Sequence, residues 1–103
     1  MTDERPILII DPGRLQQLTL YDNSHQLTPR EERCLTALAM RPQHVISHDE
    51  LYRAVWGHET VEPAEIAGII SRLRRLGVPI VTVERRGYML QVPKHLIQIC
   101  PQP

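Results

Sequence analysis

Three helical patterns follow one another between residues 28 and 77, and two strand patterns come directly after them. Each helical pattern has its own start and stop signals and carries its apolar residues on one face, so each helix must bury that face against another element. A chain of 103 residues has room for one modest hydrophobic core, which the helices and strands have to share. The sequence therefore predicts a single α+β domain.

The first helix is marked by a capping motif. Thr28 can cap it, Pro29 stands at the first helical position, and Glu31 has the spacing of a capping box. The segment "RPQ" at 41–43 ends the pattern. The predicted inward stripe comprises Cys34, Leu35, Leu38 and Ala39.

The second helix, "HDELYRAVW" at 48–56, begins with another predicted capping box, formed by Ser47 and Glu50. Gly57 ends this helix, because glycine readily adopts the conformation that follows a last helical turn. The predicted inward residues are Leu51, Val55 and Trp56.

The third helix is predicted from Pro63 to Leu76, with Gly77 as a left-handed cap. At about 100° per residue, its large apolar side chains collect in one arc, which should face the core. This arc comprises Ile66, Ile69, Ile70, Leu73 and Leu76. The opposite face carries Ala64, Gly68, Ser71, Arg72 and Arg75, with Glu65 at its edge.

Strand patterns lie on both sides of the helices. Before them, the segments "ILII" (7–10), "LQQLTLY" (15–21) and "QLT" (26–28) predict a small antiparallel sheet, with "DNSH" (22–25) as a turn. After them, "PIVTVE" (79–84) and "YMLQV" (88–92) predict a hairpin with a tight turn around "RRG" (85–87). A sheet, three helices and such a hairpin are the plan of a winged helix-turn-helix domain.

The composition sets limits on the class of protein. Hydrophobic residues make up 42% and charged residues 23% of the chain, as in ordinary soluble globular proteins. Formal net charge is zero, which argues neither for nor against a polyanionic partner. With one Trp, three Tyr and no Phe, aliphatic side chains must fill the core. Because no apolar run approaches the ~20 residues of a membrane span and the N-terminus is unlike a secretion signal, we expect a cytoplasmic protein with no membrane partner.

The residues that often bind metals or perform catalysis are scattered. Cys34 and Cys100 show no metal or redox spacing, so both are expected to be reduced thiols. His44 and His48 are four residues apart, but a predicted strand or turn separates them. Ser71 has no base and orienting acid nearby in the sequence. We therefore expect no metal, no cofactor and no enzymatic activity.

Four segments, "LTPREE", "VISHDELYRAVWG", "ISRLRRL" and "TVERRGYML", occur in this order. Together they resemble the DNA-binding domain of OmpR/PhoB-type response regulators, over roughly positions 7–91. The resemblance implies an N-terminal four-stranded sheet, three helices and a C-terminal hairpin that forms the wing. It also implies that the third helix lies in the major groove, that the wing approaches the minor groove, and that members bind as tandem dimers on direct repeats.

The resemblance also implies roles for single residues. Arg72 matches an arginine that reaches base edges or nearby phosphates, and Arg74 matches a basic position of the same helix. Trp56 and Thr82 match positions that touch the DNA backbone, and such contacts position a protein without specifying the sequence.

Other candidate contacts follow from the chemistry of arginine. Arginines near the end of the third helix can bind guanine bidentately, or they can form a solvated helix end. Arg85 and Arg86 at the hairpin tip suit a narrow minor groove, although turns are often merely polar. The predicted DNA-binding set is Trp56, Ala64, Glu65, Gly68, Ser71, Arg72, Arg74, Arg75, Thr82, Arg85 and Arg86.

The chain also departs from the pattern of the family. The third helix has Ala64, Glu65, Ala67, Ile69 and Ser71 at usually polar or basic positions, the wing has Glu84 in place of an arginine, and the first helix has Glu32 in place of an apolar residue. The small side chains would let the helix approach a groove floor or another protein, or they have no role. The alternative function is therefore a winged-helix module that binds another regulator or RNA polymerase rather than DNA.

The predicted domain covers 7–92, between a flexible N-terminus at 1–6 and a C-terminal extension at 93–103. The extension is too apolar for a free tail, so it should pack against the domain or a second copy, and a homodimer is a predicted assembly. The loop "GHETVEP" at 57–63 resembles the loop through which family members can touch RNA polymerase. Because no receiver domain precedes the module in this sequence, phosphorylation of such a domain is not the expected input.

Overall fold

The structure is a computed structural model that describes residues 5–13, 16–57 and 63–101. The elements in chain order are β1 (Leu8–Asp11), β2 (Gln17–Leu20), β3 (Asn23–Gln26), α1 (Pro29–Met40), β4 (Ile46–Ser47), α2 (His48–Trp56), α3 (Pro63–Leu76), β5 (Ile80–Val83), β6 (Gly87–Leu90) and β7 (Ile97–Ile99), the last preceded by a 3-10 turn (Lys94–Leu96). This order confirms the predicted α+β winged helix-turn-helix fold. No helix in the described ranges is long and apolar enough to cross a membrane.

The capping box of α1 is formed as predicted. The hydroxyl of Thr28 accepts a hydrogen bond from the N–H of Glu31 at 3.2 Å, and Glu31 Oε1 accepts one from the N–H of Thr28 at 2.9 Å. The helix ends at Met40 with Arg41 as its C-cap, and the predicted inward stripe is buried. Local sequence therefore determines both ends of α1.

At α2 the capping box differs from the prediction. The hydroxyl of Ser47 accepts from the N–H of Glu50 at 3.2 Å, as expected. The carboxylate of Glu50 instead accepts from Arg41 at 2.7 Å and from the Ser47 hydroxyl at 3.4 Å. Arg41 is the C-cap residue of α1, and its positive charge attracts the Glu50 carboxylate away from the backbone of α2. The inward residues Leu51 and Val55 are buried, while Trp56 is half-buried.

The inward arc of α3 is as predicted. Ile66, Ile70 and Leu73 are buried, and Ile69 and Leu76 at the borders of the arc are half-buried. Gly77 follows the helix with φ of 108°, a conformation that glycine adopts at no steric cost.

The N-terminal sheet corrects one prediction. The segment "DNSH" (22–25) is not a turn, because Asn23–Gln26 forms β3, an edge strand paired with β2. The turn consists of Tyr21 and Asp22, whose φ angles of 48° and 71° are both positive. Positive φ at both central residues is the geometry of a two-residue type I′ turn, whose twist matches that of the strands. Polar residues are tolerated in β3 because its side chains are mostly exposed.

The C-terminal segment supplies the fourth strand of this sheet. The strand order is β3-β2-β1-β7, and β7 runs parallel to β1 with Leu8 opposite Ile97 and Ile10 opposite Ile99. The N–H of Ile7 donates to the carbonyl of Leu96 at 2.9 Å, just ahead of the paired strands. The apolar tail therefore packs against the domain itself, and the folded unit continues past the predicted boundary at residue 92.

The wing is built on a second sheet with the order β4-β6-β5. Its turn comprises residues 84–86, one position earlier than predicted, because Gly87 already pairs with Val83. A Cβ atom at Gly87 would collide with the carbonyl of Ile46 in β4. Glycine at this position is what allows β4 and β6 to lie side by side.

The core is aliphatic, as the composition requires. Tyr88 is the one aromatic side chain among the buried residues that the structure describes. The largest fully buried side chains are Leu8, Ile10, Leu18, Leu35, Leu38, Leu51, Val55, Ile66, Ile70, Leu73, Val78 and Leu90.

The two cysteines should differ in reactivity. Burial raises the pKa of the Cys34 thiol to about 12, whereas Cys100 is half-buried near the end of the chain. At about pH 8 we expect a thiol-specific disulfide reagent to modify Cys100 well before Cys34, because the thiolate is the reactive form. In denaturant both thiols should react at similar rates. Equally fast modification of both in the native protein would contradict the placement of Cys34.

Candidate nucleic-acid interface

The outward face of α3 is exposed along its described length. Ala64, Gly68, Ser71, Arg72 and Arg75 all lie on this face, opposite the buried arc. A Cβ atom built on Gly68 would meet no other atom within 4 Å, so the glycine faces open space. The N-terminal half of the helix can therefore approach a flat or concave surface closely, and the long side chains are concentrated in its C-terminal half.

One edge of α3 faces the start of α1. Arg72 lies at this edge, with Nη1 at 3.9 Å from Oε2 of Glu31. A shallow depression next to this pair is lined by Thr28, Arg30, Glu31, Trp56, Glu65, Gly68 and Ile69. Two predicted contacts from α3, Glu65 and Gly68, thus lie together with Trp56 from α2.

Trp56 has a cationic neighbour that the sequence reasoning missed. The guanidinium carbon of Arg30 lies 5.5 Å from the centroid of the Trp56 ring, which is a cation–π distance. Tyr52 packs edge-on against the same ring at 6.3 Å between centroids. Arg30 and Trp56 are far apart in the sequence, so no local pattern could have revealed the pair.

The other edge of α3 is fixed to the wing. Arg74 donates from Nε to the carbonyl of Ile80 at 2.9 Å and from Nη2 to the hydroxyl of Thr82 at 2.7 Å. Two residues predicted separately as DNA contacts are therefore bonded to each other. The hydroxyl of Thr82 accepts in this bond and keeps its own hydrogen for another acceptor.

The hairpin tip carries Glu84, Arg85 and Arg86, all exposed. Arg85 adopts a positive φ of 64°, and the N–H of Arg86 closes the turn by donating to the carbonyl of Val83 at 3.0 Å. Within the described part of the chain, neither arginine is ion-paired, and neither is Arg75 on α3. All three guanidinium groups are thus available to an anionic partner.

A second depression, mostly apolar, is lined by His48 and Tyr52 from α2, Ala64 and Ala67 from α3, and Tyr88 from β6. The rings of His48 and Tyr88 meet edge-to-face at 5.5 Å between centroids. Small residues of α3 and a tyrosine of the wing sheet thus line the same depression.

Two sequence predictions concern other parts of the chain. β4 separates His44 from His48, as expected, and the described residues contain no group of three or more potential metal ligands. Most of the loop "GHETVEP", residues 58–62, lies outside the described residues, as do residues 1–4 of the predicted flexible N-terminus.

Comparison with known proteins places this geometry in a family. Residues 22–90 match the family described as "Transcriptional regulatory protein, C terminal". The curated relative "Transcriptional regulatory protein AfsQ1" from Streptomyces coelicolor is 34% identical over 95 residues, which cover 84% of this chain and 42% of that protein. The chain thus spans about two-fifths of the length of this relative.

Solved structures share the fold. The DNA-binding domain of Escherichia coli CadC has a TM-score of 0.70 and 28% identity, with 87% of this chain and 95% of that chain covered. The DNA-binding domain of Klebsiella pneumoniae RstA, in complex with the RstA box, has a TM-score of 0.71 and 25% identity, with 84% and 93% covered. Because the family match includes all three helices and the wing, this chain belongs to the family of C-terminal domains of transcriptional regulatory proteins, the OmpR/PhoB-type winged helix-turn-helix domains.

Proposed function

We propose that this chain is the DNA-binding module of a transcriptional regulator, with α3 in the major groove of duplex DNA and the wing on the backbone or in the minor groove. One observation carries the proposal: α3 buries one face and leaves the other exposed, while Arg74 fixes the wing beside it. The similar RstA domain was solved with its DNA box, which supports this use of the fold. The activity is binding, with no substrate turned over.

The arginines would have different tasks. Arg72 is the long side chain best placed to reach a base edge, because Gly68 and Ser71 beside it are short. Arg75 and the Arg30–Trp56 pair would contact phosphates on either side of the groove. Arg85 and Arg86 would enter or flank the minor groove. Thr82, oriented by Arg74, would donate its free hydrogen to a phosphate.

The assembly and the location are part of the same proposal. A homodimer on repeated half-sites would supply specificity that one small module lacks. We also propose that the protein works in the cytoplasm, where its operator and RNA polymerase would be its partners.

The decisive experiment is a selection from random duplexes, followed by titration of the preferred site at two salt concentrations. Arg72→Ala should cost about 1–3 kcal/mol of binding free energy on that site and relax the preference at one base position. Arg86→Ala should weaken all duplexes alike and reduce the salt slope by about one unit, because it removes a phosphate or groove contact. Glu65→Ala is the matched opposite, since removing its negative charge should strengthen non-specific binding. If Arg72→Ala left the affinity for the preferred site unchanged, the proposed placement of α3 in the major groove would be wrong.

A second function is favoured by the small-residue face of α3. The open space over Gly68 and the apolar depression beside Ala64 would suit another protein as well as a groove. If the module binds a regulator or RNA polymerase instead, the parent should bind duplexes weakly and neither arginine substitution should change that. Salt-dependent retention on heparin or duplex DNA separates the two functions.

A further inference from the structure

Glu31 is the one buried charged residue in the part of the chain that the structure describes, with 7% of its surface exposed. Its Oε1 atom closes the capping box of α1 by accepting from the N–H of Thr28. A glutamine can make the same bond, because only one acceptor oxygen is needed. The capping hydrogen bond therefore accounts for one oxygen of this side chain. The helix dipole favours a carboxylate in this first turn, but it acts on Glu32 as well as on Glu31.

The second oxygen of Glu31 faces Arg72. The distance of 3.9 Å from Oε2 to Nη1 is too long for a hydrogen bond, so the contact is electrostatic. The guanidinium group is thus attracted toward α1 while its N–H donors stay available. The Arg72 side chain is 47% exposed, which leaves these donors accessible from outside.

Among the described residues, the neighbours of Arg72 on its own helix do little to restrain it. Gly68, one turn earlier on the same face, has no side chain, and Ser71 is short. A free arginine side chain samples many rotamers, and ordering it on binding is unfavourable. Without a fixed partner, a long cation next to DNA would contact whichever phosphate is nearest, and such contacts carry no sequence information.

We propose that Glu31 is a positioning residue for base recognition: its second carboxylate oxygen holds the Arg72 guanidinium at the α1 edge of α3, so that Arg72 addresses one base edge instead of several phosphates. The inference rests on the proposed function, that α3 binds duplex DNA. It assigns to α1, an element outside the groove, a part in sequence discrimination.

The test compares Glu31→Gln with Glu32→Gln. Both variants remove one negative charge near the start of α1, so both should raise non-specific affinity slightly. Glu32 accepts a hydrogen bond from Thr36 within the same helix at 2.8 Å, and no ion pair joins it to α3 among the described residues. We expect Glu31→Gln alone to reduce the preference at the base position read by Arg72, by about two- to tenfold. In an Arg72→Ala background, Glu31→Gln should have no further effect on that preference.

Each outcome decides the matter. The inference is overturned if Glu31→Gln leaves the base preference unchanged, which is the result expected for Glu32→Gln. It is also overturned if Glu31→Gln lowers the preference by the same factor in the Arg72→Ala background as in the parent. Melting temperatures of the two variants should be similar, since glutamine keeps the cap. Loss of the fold in Glu31→Gln would overturn the assignment too, because the charge would then serve the cap. Suppose that the parent binds duplex DNA and Arg72→Ala relaxes the base preference, but Glu31→Gln has no effect on it. The role of Glu31 is then wrong and the proposed function stands. If the parent binds no duplex, the proposed function itself is wrong.

Discussion

Ile70→Asp should abolish the fold at ordinary temperature. Ile70 lies in the middle of α3 with 1% of its surface exposed, among the side chains of the common core. An aspartate there would lose the apolar contacts and bury a carboxylate without a partner, which costs several kcal/mol. The whole domain has roughly 5–15 kcal/mol of stability against unfolding, so this one change removes most of it. Circular dichroism and thermal melting would measure the loss.

The matched control is Ser71→Asp. It introduces the same residue at the next position of the same helix, where the side chain is exposed. Its effect on the free energy of unfolding should stay within about 0.5 kcal/mol, as for surface substitutions in general. If Ile70→Asp folded and had the same melting temperature as Ser71→Asp, the face of α3 assigned to the core would be wrong.

Deletion of residues 93–103 should lower the melting temperature by about 10 °C or more. It removes β7, exposes one edge of β1 and takes away the packing of three partly buried apolar side chains, Leu96, Ile97 and Ile99. Burial of a large aliphatic side chain contributes about 1.5–3 kcal/mol when complete, so three partly buried ones supply roughly 2–4 kcal/mol. For a domain of this size each kcal/mol corresponds to about 4–8 °C.

A shorter deletion provides the control for this experiment. Removing only 101–103 leaves β7 and the hydrogen bond from Cys100 to Ile10 in place, so melting should be nearly unchanged. Sedimentation of the parent and both truncations reports separately on self-association. If the long truncation melted with the parent, the pairing of β7 with β1 would contribute nothing to stability.

The helices could be predicted from the sequence because their signals are local. Thr28 with Glu31, and Gly77 after Leu76, determine helix ends through residues at most four positions apart. The hairpin of β2 and β3 could not be predicted as well, since Tyr21 adopts a positive φ that its residue type does not favour. The pairing of β7 with β1 joins distant residues, and no local pattern encodes such a pairing.

The candidate site was predictable in its faces but not in its partners. Helical periodicity alone assigns Gly68, Ser71 and Arg72 to the exposed face of α3. The hydrogen bonds from Arg74 to β5 could be predicted only with knowledge of the angle between α3 and the wing. That angle follows from the packing of the whole core. The short distance between the side chains of Arg72 and Glu31 depends in the same way on how α1 packs across α3.

The parallel pairing of β1 with β7 has a consequence for the folding pathway. Leu8 pairs with Ile97 across nearly the whole length of the chain. Closing so long a loop has a large entropic cost, which the formation of local helices does not remove by itself. The hairpin of β1 and β2 and the three helices can form early, while one edge of β1 stays unpaired until the last strand arrives. During that interval the "LII" edge of β1 is open to pairing with other chains. Aggregation during refolding should therefore rise with protein concentration, and the closing strand acts as the domain's own protection against it.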